Sequence, residues 1–120
     1  MTNLKKAIFL DRDGVLNKER KDYVKNILEL EIFSNIVIPI RKLKDDGFLI
    51  VVITNQSAIN RGVTTIKNVK EIHQHIQNYL KKFDLEIDGF FICPHRPDEN
   101  CLCRKPKSGL LLEAIKEFKI

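Results

Sequence analysis

The sequence predicts an α/β protein, a parallel sheet with helices on both faces in three layers. Three observations carry this. Short apolar runs suited to strands, AIFL (7–10), FLIVVIT (48–54) and GFFI (89–92), alternate with stretches whose apolar residues recur at helical spacing. Strands that alternate with helices are joined by right-handed crossovers, which makes neighbouring strands parallel. Finally, each strand ends in residues that carry chemistry: Asp11 and Asp13, then Thr54, Asn55 and Gln56, then Cys93 and His95. Open α/β sheets bind ligands at the carboxyl ends of their strands, so the coincidence says more than any one motif.

Each element has its own local reason. AIFL is a short buried strand that stops at Asp11. Ser34 is placed to cap a helix running to about Asp46, with Ile36, Ile40 and Leu43 on one face and Gly47 as its stop. Pro39, near the start of that helix, predicts an irregular first turn. FLIVVIT is a continuous β-branched run, as expected of a central strand covered on both faces. Thr65 opens a second helix to about Phe83, with Val69, Ile72, Ile76, Leu80 and Phe83 at helical spacing. GFFI is the third strand, and Ser108 caps a last helix carrying Leu111, Leu112, Ile115 and Phe118. Residues 93–107 read as the one long irregular stretch, which something must order. His73 and His75, two apart on a helix, cannot share a face, and solvent exposure is expected of both.

Composition bounds the function. A chain of 120 residues holds one core and not two, so residues 1–120 are expected to form a single domain. No apolar run approaches a membrane span, and residues 4–10 lack the pattern of a signal peptide, so a cytoplasmic protein is the expectation. The net charge of +5 comes from lysines spread along the chain rather than gathered in a block. Solvated helix faces account for most of that pattern; a small anionic substrate also fits a basic protein, and composition does not choose between it and a nucleic acid.

The strand ends suggest the chemistry. Alone, Asp11-x-Asp13-Gly14 describes a solvated turn; at the end of an apolar strand it describes two crowded like charges that need a cation. Magnesium prefers oxygen ligands and binds phosphates, and its charge would let a carboxylate approach phosphorus. One acid can then be the nucleophile, forming an aspartyl phosphate. The other, two residues on, can protonate the leaving oxygen and later activate water. Thr54, Asn55, Gln56 and Ser57 can donate to a phosphate, and Arg104 and Lys105 can bring fixed positive charge to it. All three cysteines join a histidine in Cys93-x-His95-x5-Cys101-x-Cys103, three thiolates and one imidazole. This is a complete tetrahedral zinc set with no open position, hence a structural site. Its task is to order the loop that delivers Arg104 and Lys105.

The stretches FLDRDGVLN (9–17), VVITNQSAINRG (51–62) and CPHRPDENCLCRKPKSGLL (93–111) resemble the first three motifs of the haloacid dehalogenase superfamily phosphatases. The branch they are most similar to contains the D-glycero-D-manno-heptose 1,7-bisphosphate 7-phosphatases and the histidinol-phosphate phosphatases. The resemblance implies a Rossmann-like fold with little or no cap, magnesium, and a structural zinc loop. It implies hydrolysis of a sugar or polyol phosphomonoester, with Asp11 as nucleophile and Asp13 as acid and base. Asp11 and the Asp13 carbonyl would bind magnesium, Thr54 and Lys105 would steady the phosphoryl group, and Arg104 would recognise substrate. Residues Glu19–Tyr23, Tyr23 among them, lie where the family contacts the rest of its substrate. Ser57-x-Ile59-x-Arg61-Gly62 looks more like the heptose bisphosphate group, although Ala58 replaces a glycine common there.

A fourth motif of the family, an acidic strand end that supplies another magnesium ligand, has no counterpart. After Asp98 the acids are Glu99, Glu113 and Glu117, none at a strand end. The expectation is a truncated version of a longer enzyme, with AIFL left as a bare sheet edge. Completion by a partner, self-association or a degenerate protein are the alternatives. A zinc-stapled binding module and a DNA 3′-phosphatase are the competing functions. Asp11, Asp13, Thr54 and Lys105 together argue against the first, and the zinc loop and scattered charge against the second.

Overall fold

The computed structural model describes residues 4–120. Strands β1 (Ala7–Leu10), β2 (Leu49–Asn55) and β3 (Gly89–Cys93) form one parallel sheet in the order β1-β2-β3. The register runs from Ala7 opposite Leu49 to Leu10 opposite Val52, and from Val51 opposite Gly89 to Asn55 opposite Cys93. All three carboxyl ends therefore lie on one side of the molecule. β2 is the centre, and its alternating residues feed two cores. Ile50 and Val52 face α1 (Val37–Asp45) and α2 (Ile66–Lys81), packing with Ile40, Ile72, Ile76 and Leu80. Val51 and Ile53 face α3 (Gly109–Phe118), packing with Phe91, Leu110 and Ala114. Each such fully buried aliphatic side chain stabilises the fold by about 1.5–3 kcal/mol.

The three-layer α/β sheet is the expected one, and β1 has no partner on its outer edge among the described residues. Thr65 caps α2 as expected, its Oγ1 accepting from the Asn68 N–H at 3.1 Å. Gly47 ends α1 in the left-handed region, at φ +87°. No helix among the described residues is long and apolar enough to cross a membrane.

Five expectations are corrected. Ser34 does not cap α1: Ser34–Ile36 is a 3-10 turn, and the α-helix begins at Val37. That start places Pro39 in the first turn, where the missing N–H has no partner to lose. α2 ends at Lys81, and Phe83 falls in the following turn, partly exposed. On α3 the buried stripe is Leu110 and Ala114, whereas Leu112 and Ile115 point outward. The run of consecutive leucines left that choice open, and packing on one sheet face made it. Ser108 precedes α3 but makes no side-chain cap; its carbonyl accepts from the Leu112 N–H.

The fifth correction concerns the loops, because residues 93–107 are not the sole long irregular segment. Residues 11–33 hold only an isolated 3-10 turn, Ile27–Glu29, and are ordered by bridges from Asn17 to Asp13 and to Ile32. Leu16 and Val24 anchor this segment in the core, and a polar cluster of Arg20, Asp22, Lys25 and Glu29 closes its outer side.

Gly109 is the tightest joint between the 93–107 loop and α3. A Cβ there would lie 2.3 Å from the Leu102 carbonyl oxygen, which also accepts the Gly109 N–H at 3.0 Å. Gly109→Ala is expected to destabilise the protein by about 1–3 kcal/mol. Ser108→Ala next to it should stay within about 0.5 kcal/mol of wild type. Urea denaturation of the two variants checks the pair.

Candidate active site

The crowded acids after β1 are relieved by two cations from different parts of the chain. Lys105 places Nζ 3.0 Å from Asp11 Oδ1 and also donates to the Ile53 carbonyl at 3.0 Å. Asn55, at the end of β2, clamps the backbone of Lys105 from both sides. The Lys105 N–H donates to its Oδ1 at 3.0 Å, and its Nδ2 donates to the Lys105 carbonyl at 3.3 Å. The second cation is Arg12, between the two acids, whose side chain is fully buried. Its Nη2 and Nε donate to Asp13 Oδ1 at 2.7 and 3.3 Å. A charge that deep is tolerated only when paired, and removing one partner of such a pair costs about 3–5 kcal/mol.

Asp13 is held on every side. Asn17 Nδ2 adds a third bond to Oδ1 at 3.0 Å, and Gln56 Nε2 donates to Oδ2 at 2.8 Å. The same Gln56 amide donates to Thr54 Oγ1 at 2.8 Å, and its backbone N–H donates to the Cys93 carbonyl. Thus Gln56 joins the ends of all three strands. Burial alone would raise the Asp13 pKa; the Arg12 charge and the bonds from Arg12, Asn17 and Gln56 outweigh it and hold the carboxyl below its ordinary value.

Asp11 differs. Its side chain is 48% exposed, and both of its contacts, from Lys105 and from the Arg12 N–H, fall on Oδ1. Oδ2 has no partner among the described residues. The Arg12 carbonyl accepts three backbone N–H groups, whereas among the described residues none donates to the Asp13 carbonyl. An open carboxylate oxygen beside an open carbonyl suits a hard cation that completes its shell with water and phosphate oxygens. The magnesium set expected from the sequence therefore fits these residues.

Beside the acids lies a cleft of about 540 Å³ lined by Asp13, Glu19, Arg20, Lys21, Tyr23, Asn55 and Gln56 among others. Tyr23 adopts φ +70°, an uncommon conformation for a bulky residue and one that accompanies functional loops. Of the expected site residues, Asp13, Tyr23, Asn55 and Gln56 line this cleft, whereas Asp11, Thr54, Ser57, Arg104 and Lys105 are not among its lining residues. Ser57 is buried and accepts from Arg61 Nε at 3.3 Å. Arg104 donates to the His95 carbonyl at 3.2 Å and lines a separate hollow with Asn100 and Lys105.

Cys93, His95, Cys101 and Cys103 converge at the end of β3, with all four ligand atoms within 4.8 Å of one another. Burial, then the neighbouring thiols, push Cys103 up to about 12, and burial raises Cys93 as well. Crowded thiols ionise together only around a cation, and three thiolates with one imidazole form a closed set for zinc.

The sequence reading missed Arg12, Asn17 and His73. His73 is not exposed: it is 5% accessible, stacked on Phe90 with ring centroids 4.2 Å apart, and its Nε2 lies 3.3 Å from Arg12 Nη1. Its spacing signal was present, since 69, 73, 76 and 80 follow one helical stripe. His75 is exposed as expected.

Residues 6–120 match the sequence profile of the polynucleotide kinase 3 phosphatase family. The chain belongs to that family. Among its curated relatives is a protein of Helicobacter pylori named D-glycero-beta-D-manno-heptose-1,7-bisphosphate 7-phosphatase. The two are 43% identical over 98% of this chain and 68% of that protein. A Thermoplasma volcanium relative, named a probable heptose bisphosphate phosphatase of the same kind, is 38% identical over 96% of this chain and 78% of its own length. The D,D-heptose 1,7-bisphosphate phosphatase of B. bronchiseptica, solved with magnesium and phosphate, superposes with a TM-score of 0.89 at 32% identity. That match covers 96% of this chain and 64% of that one. The chain thus spans between about two thirds and four fifths of the length of these relatives. Their shared fold is the haloacid dehalogenase-like one that the motifs resembled.

His73 supplies a pH signature. Burial first, and the Arg12 charge second, depress it from 6.5 to about 3. In the unfolded chain it takes up a proton as pH falls below 6.5, and in the folded chain only near 3. The stability it contributes is complete above that upper value and is lost as pH falls towards the lower one. The urea midpoint of the wild type should decline across that window, and His73→Phe should flatten the decline.

Proposed function

We propose that this chain is a magnesium-dependent phosphomonoester hydrolase working through an aspartyl phosphate. The observation that carries it is the unequal pair of acids: Asp11 half-exposed with one oxygen free, Asp13 buried in hydrogen bonds two residues on. Asp11 is the nucleophile. Asp13, ionised in the free protein, takes up a proton from solvent as the negative phosphate enters beside it. Asp11 Oδ2 then bonds to phosphorus as the bond from phosphorus to the leaving oxygen breaks, and Asp13 gives that oxygen the proton. Asp13 then takes a proton from the water that attacks phosphorus, which releases phosphate and restores the Asp11 carboxylate. Lys105 and Thr54 balance and orient the phosphoryl oxygens, with Asn55 and Gln56 at the cleft wall. Magnesium, held by Asp11 and the Asp13 carbonyl, supplies charge neutralisation for the phosphate when bound. Tyr23 and Arg104 are proposed for the rest of the substrate, and Ser57 supports the Thr54–Gln56 turn.

The substrate proposed is a sugar phosphate, D-glycero-D-manno-heptose 1,7-bisphosphate in particular, because the relatives above carry that name. Arg20 and Lys21 in the cleft wall suit a polyol bearing further negative charge. Histidinol phosphate is the second candidate. A 3′-phosphorylated oligonucleotide is the third, favoured by the family description and disfavoured by the dispersed lysines. Zinc in the Cys93, His95, Cys101 and Cys103 set holds the loop that carries Lys105. A cytoplasmic setting, where thiols stay reduced, belongs to the same reading.

Phosphate release at millimolar magnesium is expected from the heptose bisphosphate in preference to the other two. Asp11→Asn should lower it by about 10³-fold or more. Release that survives this change refutes the nucleophile, and folded, zinc-loaded protein inert on all three substrates refutes the enzyme in favour of a binding module. Elemental analysis should find one zinc per chain. Its chelation should lower the thermal midpoint, and Cys103→Ser should abolish the stoichiometry.

A further inference from the structure

We infer that His73 is a positioning residue for Asp13, acting through the buried guanidinium of Arg12. The kinetic consequence rests on the phosphatase reading; the geometry stands without it. Arg12 is fully buried, and a guanidinium only donates. Two of its nitrogens are committed to Asp13 Oδ1. The third, Nη1, meets the ring nitrogen Nε2 of His73 at 3.3 Å, 61 residues further along the chain. Since Arg12 must donate, Nε2 must carry the lone pair, so the ring is neutral with its proton on Nδ1. The ring itself is fixed by parallel stacking on Phe90, 14° from coplanar. Phe90 is in turn set by its register opposite Val52.

The chain of contacts runs from β3 through α2 to the loop after β1. Its effect is on the two oxygens of Asp13. Oδ1 receives Nε and Nη2 of Arg12 and Nδ2 of Asn17, so its lone pairs are taken. Oδ2 receives Gln56 alone among the described residues, and Asp13 is one of the residues that line the cleft. The oxygen that exchanges a proton with the leaving group is therefore Oδ2, and the Arg12 fork makes it so. Without an acceptor at Nη1, the guanidinium loses its third anchor and can turn in its plane, and the carboxylate turns with it. A misplacement of this size costs rate far more than affinity.

The test separates the contact from the chemistry. His73→Phe keeps the ring and the stacking but removes the acceptor; His73→Gln restores an acceptor oxygen. With the heptose bisphosphate at saturating magnesium, His73→Phe should lower kcat by about tenfold or more with KM within about twofold. His73→Gln should recover most of the loss. In the resting wild-type protein, 15N NMR should find His73 as the Nδ1–H tautomer, together with a slowly exchanging Arg12 Nε–H that is lost in His73→Phe. An unchanged kcat in folded His73→Phe, or an Nε2–H tautomer in the wild type, overturns the inference. Should the wild type hydrolyse no phosphoester, the phosphatase reading fails by itself, and the tautomer and the Arg12 signal still decide the contact.

Discussion

Everything at the carboxyl edge of this sheet depends on keeping two carboxylates close together at the end of one strand. Negative charges two residues apart are stable only with positive charge supplied to each. The chain supplies it in two unlike ways. Arg12 is buried and bound at three nitrogens, so its partner Asp13 is held in one orientation. Lys105 is a flexible amine on a loop, and its partner Asp11 keeps an oxygen free. A buried, hydrogen-bonded pair resists salt and motion, while a half-exposed pair is screened and can exchange partners. That difference separates an acid held in one direction from an acid with an oxygen left open.

The rest of the fold delivers those cations. β2 sits between β1 and β3, so Gln56 and Asn55 reach both neighbours, one to Asp13 and the other to Lys105. Lys105 lies two residues beyond Cys103 in a loop without helix or strand of its own, apart from one short turn at Pro97–Glu99. Such a segment loses much conformational entropy on ordering, and a metal set at its root lowers that loss. The close fit of Gly109 against Leu102 ties its far end to α3. The lysine is thereby held between two fixed points, and the Asn55 amide sets its backbone.

The outer edge of β1, unpaired among the described residues, stands next to the two acids, and the two cores meet at β2 rather than there. Stability and reactivity are thus divided across the sheet. The centre carries the fully buried Ile50, Val51 and Val52, whereas the catalytic candidates gather where the strands run out.

Much of this was legible in the chain because the signals are local. β-branched runs, a Thr cap and helical stripes define elements within a few residues, and alternating strands and helices allow few topologies. The two acids, the Thr-Asn-Gln turn and the Cys3His spacing are equally local, since metal and phosphate chemistry demand particular residue types at short range. What only tertiary structure decided is nonlocal. A run of three leucines does not say which one faces the sheet, and Ser34 did not say that a 3-10 turn would come before the α-helix that begins at Val37. Above all, Arg12 in sequence is an ordinary basic residue between acids. In the folded chain it is fully buried and meets His73 of α2, 61 residues away, and the energy of burying a charge is fixed by partners that the folded chain alone brings together.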